Sequence, residues 1–131
     1  KISPAVIVAV KNGDRLLLTR YAKNASDYRR KALVAGFVEV GEPPEQAVER
    51  EVMEETGLKV KNIRPYAVQP WSFSDSLMLA YTAELDGSDR IRLDERELCE
   101  ASFVPREEIP DNPSSASVAN ELMQRFRRGE L

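Results

Sequence analysis

The chain has 131 residues, 42% of them hydrophobic and 31% charged, with a net charge of −3. That fits one domain with a real core and excludes a protein that gathers phosphate ligands by a global positive field, leaving metal ions or local groups to do so. One cysteine, Cys99, and no histidine exclude an intrachain disulfide and a Cys/His zinc site within these residues.

No stretch is apolar over enough residues to cross a membrane as a helix. Residues 5–10 are a short apolar run rich in β-branched side chains, which predicts a buried strand. Asn12-Gly13 predicts a tight turn because both residues tolerate positive φ, and residues 16–19 the returning strand. Residues 21–31 are polar and basic, an exposed loop. Residues 33–40 are strand-like but broken by Gly36 and ended by Gly41. Pro43-Pro44 opens a helix that runs to about Thr56, where Gly57 supplies a left-handed stop. Residues 63–68 and 76–85 predict two more strands, Asp86-Gly87 a turn, and residues 98–104 a further strand in which Cys99 reads as a small core residue. Ser115 or Ser117 caps a last helix through Phe126. Strands and helices interleave without a repeating β–α period, so a mixed sheet between helices is expected. The opening residue is Lys1 rather than Met, which leads us to expect a domain spanning 1–131 cut from a longer protein.

The helix beginning at Pro44 carries its acids on the wrong side. At about 100° per residue, Glu55 lies about 40° from Glu51, Ala47 about 40° to the other side, and Val48 and Val52 at about 60° and 100°. Two carboxylates therefore share the arc that must bury apolar side chains, and Glu54 borders it. Glu51 and Glu55 also repel at i,i+4, and acids near a helix C-terminus oppose the dipole. A solvated acidic face explains this poorly. A site for a hard divalent cation, with oxygen ligands suited to magnesium or manganese, explains it well.

The same segment carries a recognisable spacing. Gly36 is followed after five residues by Glu42, then after seven by Arg50-Glu51-Val52, Met53, Glu54-Glu55, Thr56, Gly57 and Leu58. This resembles the Nudix box, G-x5-E-x7-R-E-U-x-E-E-x-G-U with U apolar, at every fixed position. The resemblance implies the Nudix fold, an α/β/α sandwich with a mixed sheet. It also implies metal binding by Glu51, Glu55 and the carbonyl of Ala35, while Arg50 and Glu42 brace loop and helix through charge-assisted bonds.

A second segment, Gln69-Pro70-Trp71-Ser72-Phe73-Ser74-Asp75-Ser76-Leu77-Met78, is similar to the S-Q-P-W-P-F-P-x-S-L-M signature of the NADH pyrophosphatases, some of which also remove NAD caps from RNA. Val68 stands where that family has Ser, and Ser72 and Ser74 replace two prolines. The resemblance implies that residues 69–76 form a loop holding NADH or NAD. It implies that Phe37 and Ala119 contact the adenine end, partly across a homodimer, and that Glu97 rather than its neighbour Glu100 is a further metal ligand. It implies a cytoplasmic enzyme, and a four-cysteine zinc ribbon ahead of the domain that these residues do not contain.

The expected chemistry is metal-assisted hydrolysis of a phosphoanhydride, with magnesium or manganese on Glu51, Glu55, Glu97 and the Ala35 carbonyl. Without histidine the general base must be a carboxylate or the metal-bound hydroxide itself, and Glu54 is the candidate for assisting. The neighbouring expectation is a Nudix hydrolase of ADP-ribose or a diadenosine polyphosphate. A nucleotide sensor with a degenerate site is the reading from another class, and the intact Glu51, Glu54 and Glu55 argue against it.

Overall fold

The computed structural model describes residues 1–27, 30–71, 75–114 and 117–131. Within them the order is β1 (Ser3–Asn12), β2 (Arg15–Tyr21), a 3-10 turn (Ala22–Asn24), β3 (Val34–Phe37), α1 (Pro44–Thr56), β4 (Val60–Trp71), β5 (Ser76–Leu85), β6 (Leu98–Pro105), a second 3-10 turn (Arg106–Glu108) and α2 (Val118–Arg127).

β1 organises the molecule. Every residue from Ala5 to Val10 is buried, and their side chains alternate between two cores. Val6, Val8 and Val10 pack with Ala47, Val48 and Val52 of α1. Ile7 and Ala9 pack with Val118, Leu122 and Phe126 of α2. A strand covered on both faces needs apolar side chains at every position, which is why this run shows no polar alternation. The sheet is six-stranded with order β4-β5-β1-β2-β6, and β3 pairs with β1 off that path. β1 and β5 are parallel; the other pairs are antiparallel. The fold is thus an α/β/α sandwich around a mixed sheet.

Two local features place the site. β1 and β2 pair only at Lys11–Leu16 and Asn12–Arg15 before they splay, and β3 takes β1's free edge, with Val6 opposite Gly36 and Ile7 opposite Ala35. Gly36 is thereby laid against α1. At the other end of α1, Gly57 adopts φ 72° and donates its N–H to the Met53 carbonyl. The carbonyls of Glu55 and Thr56, which have no partner within the helix, are then met by the N–H groups of Asp94 at 3.0 Å and Arg92 at 2.8 Å. The irregular segment before β6 therefore docks on the helix end because the helix needs partners there.

Two expectations change and one is resolved. β4 runs on to Trp71, so Gln69 and Pro70 pair with Met78 and Leu77 instead of lying in a loop. β4 is a sheet edge, where prolines such as Pro65 and Pro70 are tolerated because one side of the strand lacks a ladder partner. Cys99 is exposed; on the opposite edge strand it alternates with fully buried Leu98. Of the two capping serines, Ser117 accepts the Asn120 N–H at 3.1 Å, while Ser115 lies outside the described residues.

Candidate active site

Glu51 and Glu55 enter one cleft from successive turns of α1. Glu55 is only 5% exposed, and its Oε2 has no hydrogen-bond partner among the described residues. Burial, then a hydrogen bond with Glu51, then the charges of Glu51, Glu97 and Asp94 push its carboxyl up to about 8. Folding alone disfavours a buried acid facing other acids. Glu51 rests directly on Gly36: a Cβ there would fall 2.2 Å from Glu51 Cδ. Glycine is needed at that position to leave room for a carboxylate.

Arg50 holds the near wall. It donates from Nε and Nη2 to the two Glu42 oxygens at 2.7 and 2.9 Å, a bidentate pair. Nη1 donates to Glu51 Oε1 at 2.8 Å and to Glu54 Oε2 at 3.3 Å, and Nη2 to the Phe37 carbonyl at 3.0 Å. The Arg50 hydrogen bonds, with the Glu39 N–H second, hold Glu42 down to about 2. The same partners raise the guanidinium above its ordinary value. Arg50 thus ties the glycine loop to the helix and sets the side chains of Glu51 and Glu54.

Asp94 and Glu97 form the far wall. The Glu97 N–H donates to the Asp94 carbonyl at 3.0 Å, and the Glu97 carbonyl accepts the Ala22 N–H at 2.8 Å. Asp94 Oδ1 accepts from Arg96 Nε at 3.2 Å, and that arginine holds the Asp94 carboxyl below its usual range. These residues, with Tyr21, Ala35, Gly36, Phe37, Glu39 and the acids of α1, enclose a cleft of about 640 Å³. Glu100, the rival of Glu97, instead pairs with Lys31 and with Arg20; of the two acids, Glu97 lines the cleft.

A second, largely apolar cleft of about 420 Å³ adjoins the first, and the two share Tyr21 and Ala35. Its walls include Ile7, Leu33, Ala119 and Met123. Burial, followed by the charges of Glu55, Glu51 and Glu97, pushes the Tyr21 phenol up to about 12, so it stays a donor.

Other expected substrate contacts fare unevenly. Phe37 is exposed and lines the carboxylate cleft, and Ala119 lines the apolar one. Gln69 Oε1 accepts the Val118 N–H at 2.9 Å, so this side chain braces the start of α2. Pro70 and Asp75 are exposed and Ser76 is buried. The Trp71 side chain, Ser72, Phe73 and Ser74 lie outside the described residues. Sequence reading missed Tyr21, Asp94 and Arg96. An acid three residues before Glu97 was the one signal available; Tyr21 was expected in the exposed loop 21–31, whereas β2 runs on to include it.

The donors suit a hard divalent cation, because they are all oxygens and include the orphaned Glu55 Oε2. Among the described residues no three His, Cys, Asp or Glu side chains stand close enough to cage an ion. A cation here would need the Ala35 carbonyl, water or substrate oxygens as well, as magnesium commonly does.

A two-sided sandwich that brings a helix-borne glutamate pair onto a glycine strand defines a class, and comparison with known proteins agrees. The NUDIX domain family matches residues 1–126, so the chain belongs to the Nudix family. It is 45% identical over 124 residues to the NAD-capped RNA hydrolase NudC of Shigella flexneri, covering 95% of this chain and 47% of that protein. Against the protein of the same name from Escherichia coli K12/DH10B the identity is 44% over 124 residues, with the same coverage. The chain spans about half the length of the curated relatives it matches. The crystal structure of a NUDIX hydrolase from Nitrosomonas europaea superposes with TM-score 0.80 at 25% identity, over 98% of this chain and 71% of that one. An ADP-ribose pyrophosphatase from Streptococcus suis shares the fold, with TM-score 0.74 at 18% identity over 98% of this chain and 92% of that one.

Proposed function

We propose that this domain is a metal-dependent pyrophosphohydrolase that cuts the diphosphate of NADH or NAD into nicotinamide mononucleotide and AMP, with the NAD cap of RNA as a further substrate presenting the same bond. The observation that carries this reading is the pair of clefts sharing Tyr21 and Ala35: one lined by carboxylates, one apolar. A diphosphate with a ring on its end needs both, and a cleft of about 420 Å³ is of ligand size. The relatives' printed activity, and the likeness of residues 69–78 to the NADH pyrophosphatase signature, support the substrate.

Glu51, Glu55, Glu97 and the Ala35 carbonyl would hold magnesium or manganese. Such an ion, when bound, supplies Lewis-acid polarisation of the diphosphate and lowers the pKa of water. The chain's own residues do the rest. Arg50 keeps Glu51 and the Phe37 carbonyl in place. Glu54, exposed at the rim and bonded to Arg50, takes the proton of the attacking water. Ile7, Leu33, Ala119 and Met123 receive a base and keep water from its faces. Phe37, 59% exposed beside the carboxylates, suits a homodimer in which the partner covers the ring. A cytoplasmic location accords with the dinucleotide substrate.

Chromatography of the products from NADH with magnesium or manganese tests the proposal. Reduced nicotinamide mononucleotide and AMP in equal amounts are expected; a cut at any other bond, or none while ADP-ribose is consumed, overturns the substrate and leaves the family.

A further inference from the structure

One aromatic side chain, Tyr21, stands at the join of the two clefts. Tyr21 is the last residue of β2, and the register with β6 shifts between Arg20 and Tyr21. A bulge re-aims the side chain that follows it, and bulges gather beside active sites for that reason. The extra residue of this bulge is Cys99 on β6, so Tyr21 pairs with Leu98 at the end of the ladder, and with Ala35 it lines both the carboxylate cleft and the apolar cleft. The next residue is anchored to the metal-side segment, since the Ala22 N–H donates to the Glu97 carbonyl at 2.8 Å. Glu55, Glu51 and Glu97 all lie near enough to act on the phenol electrostatically, and Lys23 Nζ stands 5.8 Å from its ring centre. The Tyr21 hydroxyl makes no hydrogen bond among the described residues. The hydroxyl is not sealed from solvent, so a ligand in the cleft can replace water as its acceptor.

We propose that Tyr21 is a substrate-binding residue, donating its hydroxyl to the ribose–phosphate oxygens that join a ring in the apolar cleft to the diphosphate in the carboxylate cleft. The proposal rests on the two-cleft reading of the substrate. The acceptor class follows from position: no carboxylate of the protein bonds the hydroxyl, and the linker of a bound dinucleotide must pass between the residues that both clefts share. Its ring would serve as the wall against which the ribose lies. Because the contact is made before any bond breaks, it contributes equally to ground and transition states.

The test uses Tyr21→Phe and Tyr21→Ala in the 131-residue chain, with steady-state kinetics on NADH and on ADP-ribose, manganese affinity by electron paramagnetic resonance, and melting temperature. For Tyr21→Phe the KM should rise about tenfold on both substrates with kcat within about threefold, while manganese affinity and melting temperature stay as in the parent. Tyr21→Ala should raise KM further. An unchanged KM in Tyr21→Phe overturns the proposal and leaves the NADH reading intact. So does a KM change that comes with weaker manganese binding or a lower melting temperature, which would mean a structural role. If the parent cleaves ADP-ribose but not NADH, the substrate reading fails, and the ADP-ribose KM of Tyr21→Phe still decides the role of Tyr21. A parent that cleaves neither overturns both.

Discussion

A methyl group at position 36 would meet Glu51 Cδ at 2.2 Å and both carboxylate oxygens at 2.5 Å. The obstacle is the free end of a side chain, so Glu51 can swing aside while the backbone stays put. Gly36→Ala should therefore lower kcat/KM by at least about a hundredfold, as expected when a group acting on the transition state is displaced, with a melting temperature within a few degrees of the parent. A large drop in melting temperature with activity retained would show that the glycine serves the backbone instead. Glu42 gives a test in pH. Arg50 holds its carboxyl down to about 2, against an ordinary value of 4.5. A depressed folded pKa means stability that is present above the ordinary value and lost as pH falls from about 4.5 through about 2. Glu42→Gln should accordingly melt lower than the parent at pH 7, with the gap closing as acid protonates Glu42 in the parent. A gap that persists unchanged at pH 2 would mean that packing, not charge, holds this side chain.

At the scale of elements, α1 shows what sequence can reveal and why. The placement of its acids was legible because helix geometry is fixed: Glu51 and Glu55 had to share an arc with Val48 and Val52, and Glu55 is buried along with those valines. Removing charge there should separate function from stability. Glu55→Gln should reduce turnover by orders of magnitude, yet its melting temperature in EDTA should not fall below the parent's, since Oε2 has no partner to lose among the described residues. Near-normal turnover in magnesium would refute the assignment. The strand order, by contrast, followed from no local pattern. β3 replaces β2 along β1 only because the hairpin splays, and residues 92–97 reach α1 only because its last carbonyls lack partners. Both are settled by contacts far apart in sequence, so Tyr21 carried no local mark and Asp94 only its closeness to Glu97. Gln69 carries a second role that its signature did not announce: its side-chain carbonyl oxygen accepts the Val118 N–H. That bond ties it to α2, which carries Ala119 into the apolar cleft.

At the scale of the molecule, three exposed apolar side chains follow one another at one end of the sheet: Phe37, which lines the carboxylate cleft, is 59% exposed, Ile2 71% and Val40 fully, while Val68, 61% exposed, lies apart on the edge strand β4. Phe37 pairs with Ala5, and the Val38 N–H donates to the Pro4 carbonyl, so Ile2 and Val40 both extend from the same end of the β1–β3 pair. Single exposed apolar residues mean little; under the homodimer proposed above, these residues are the surface the partner covers. A second copy of the chain is the occupant that the proposed adenine contact at Phe37 calls for. Light scattering at high concentration should show a dimer. Val40→Asp should shift it to monomer, because a charge buried at such a contact has no partner, and the KM for NADH should rise in step with dissociation. The carboxylates lie on one chain, so manganese affinity should be indifferent to the change. A parent chain that scatters as a monomer at every concentration while cleaving NADH would show that one copy completes the site, and would remove the reason for assigning Phe37 a role across a partner.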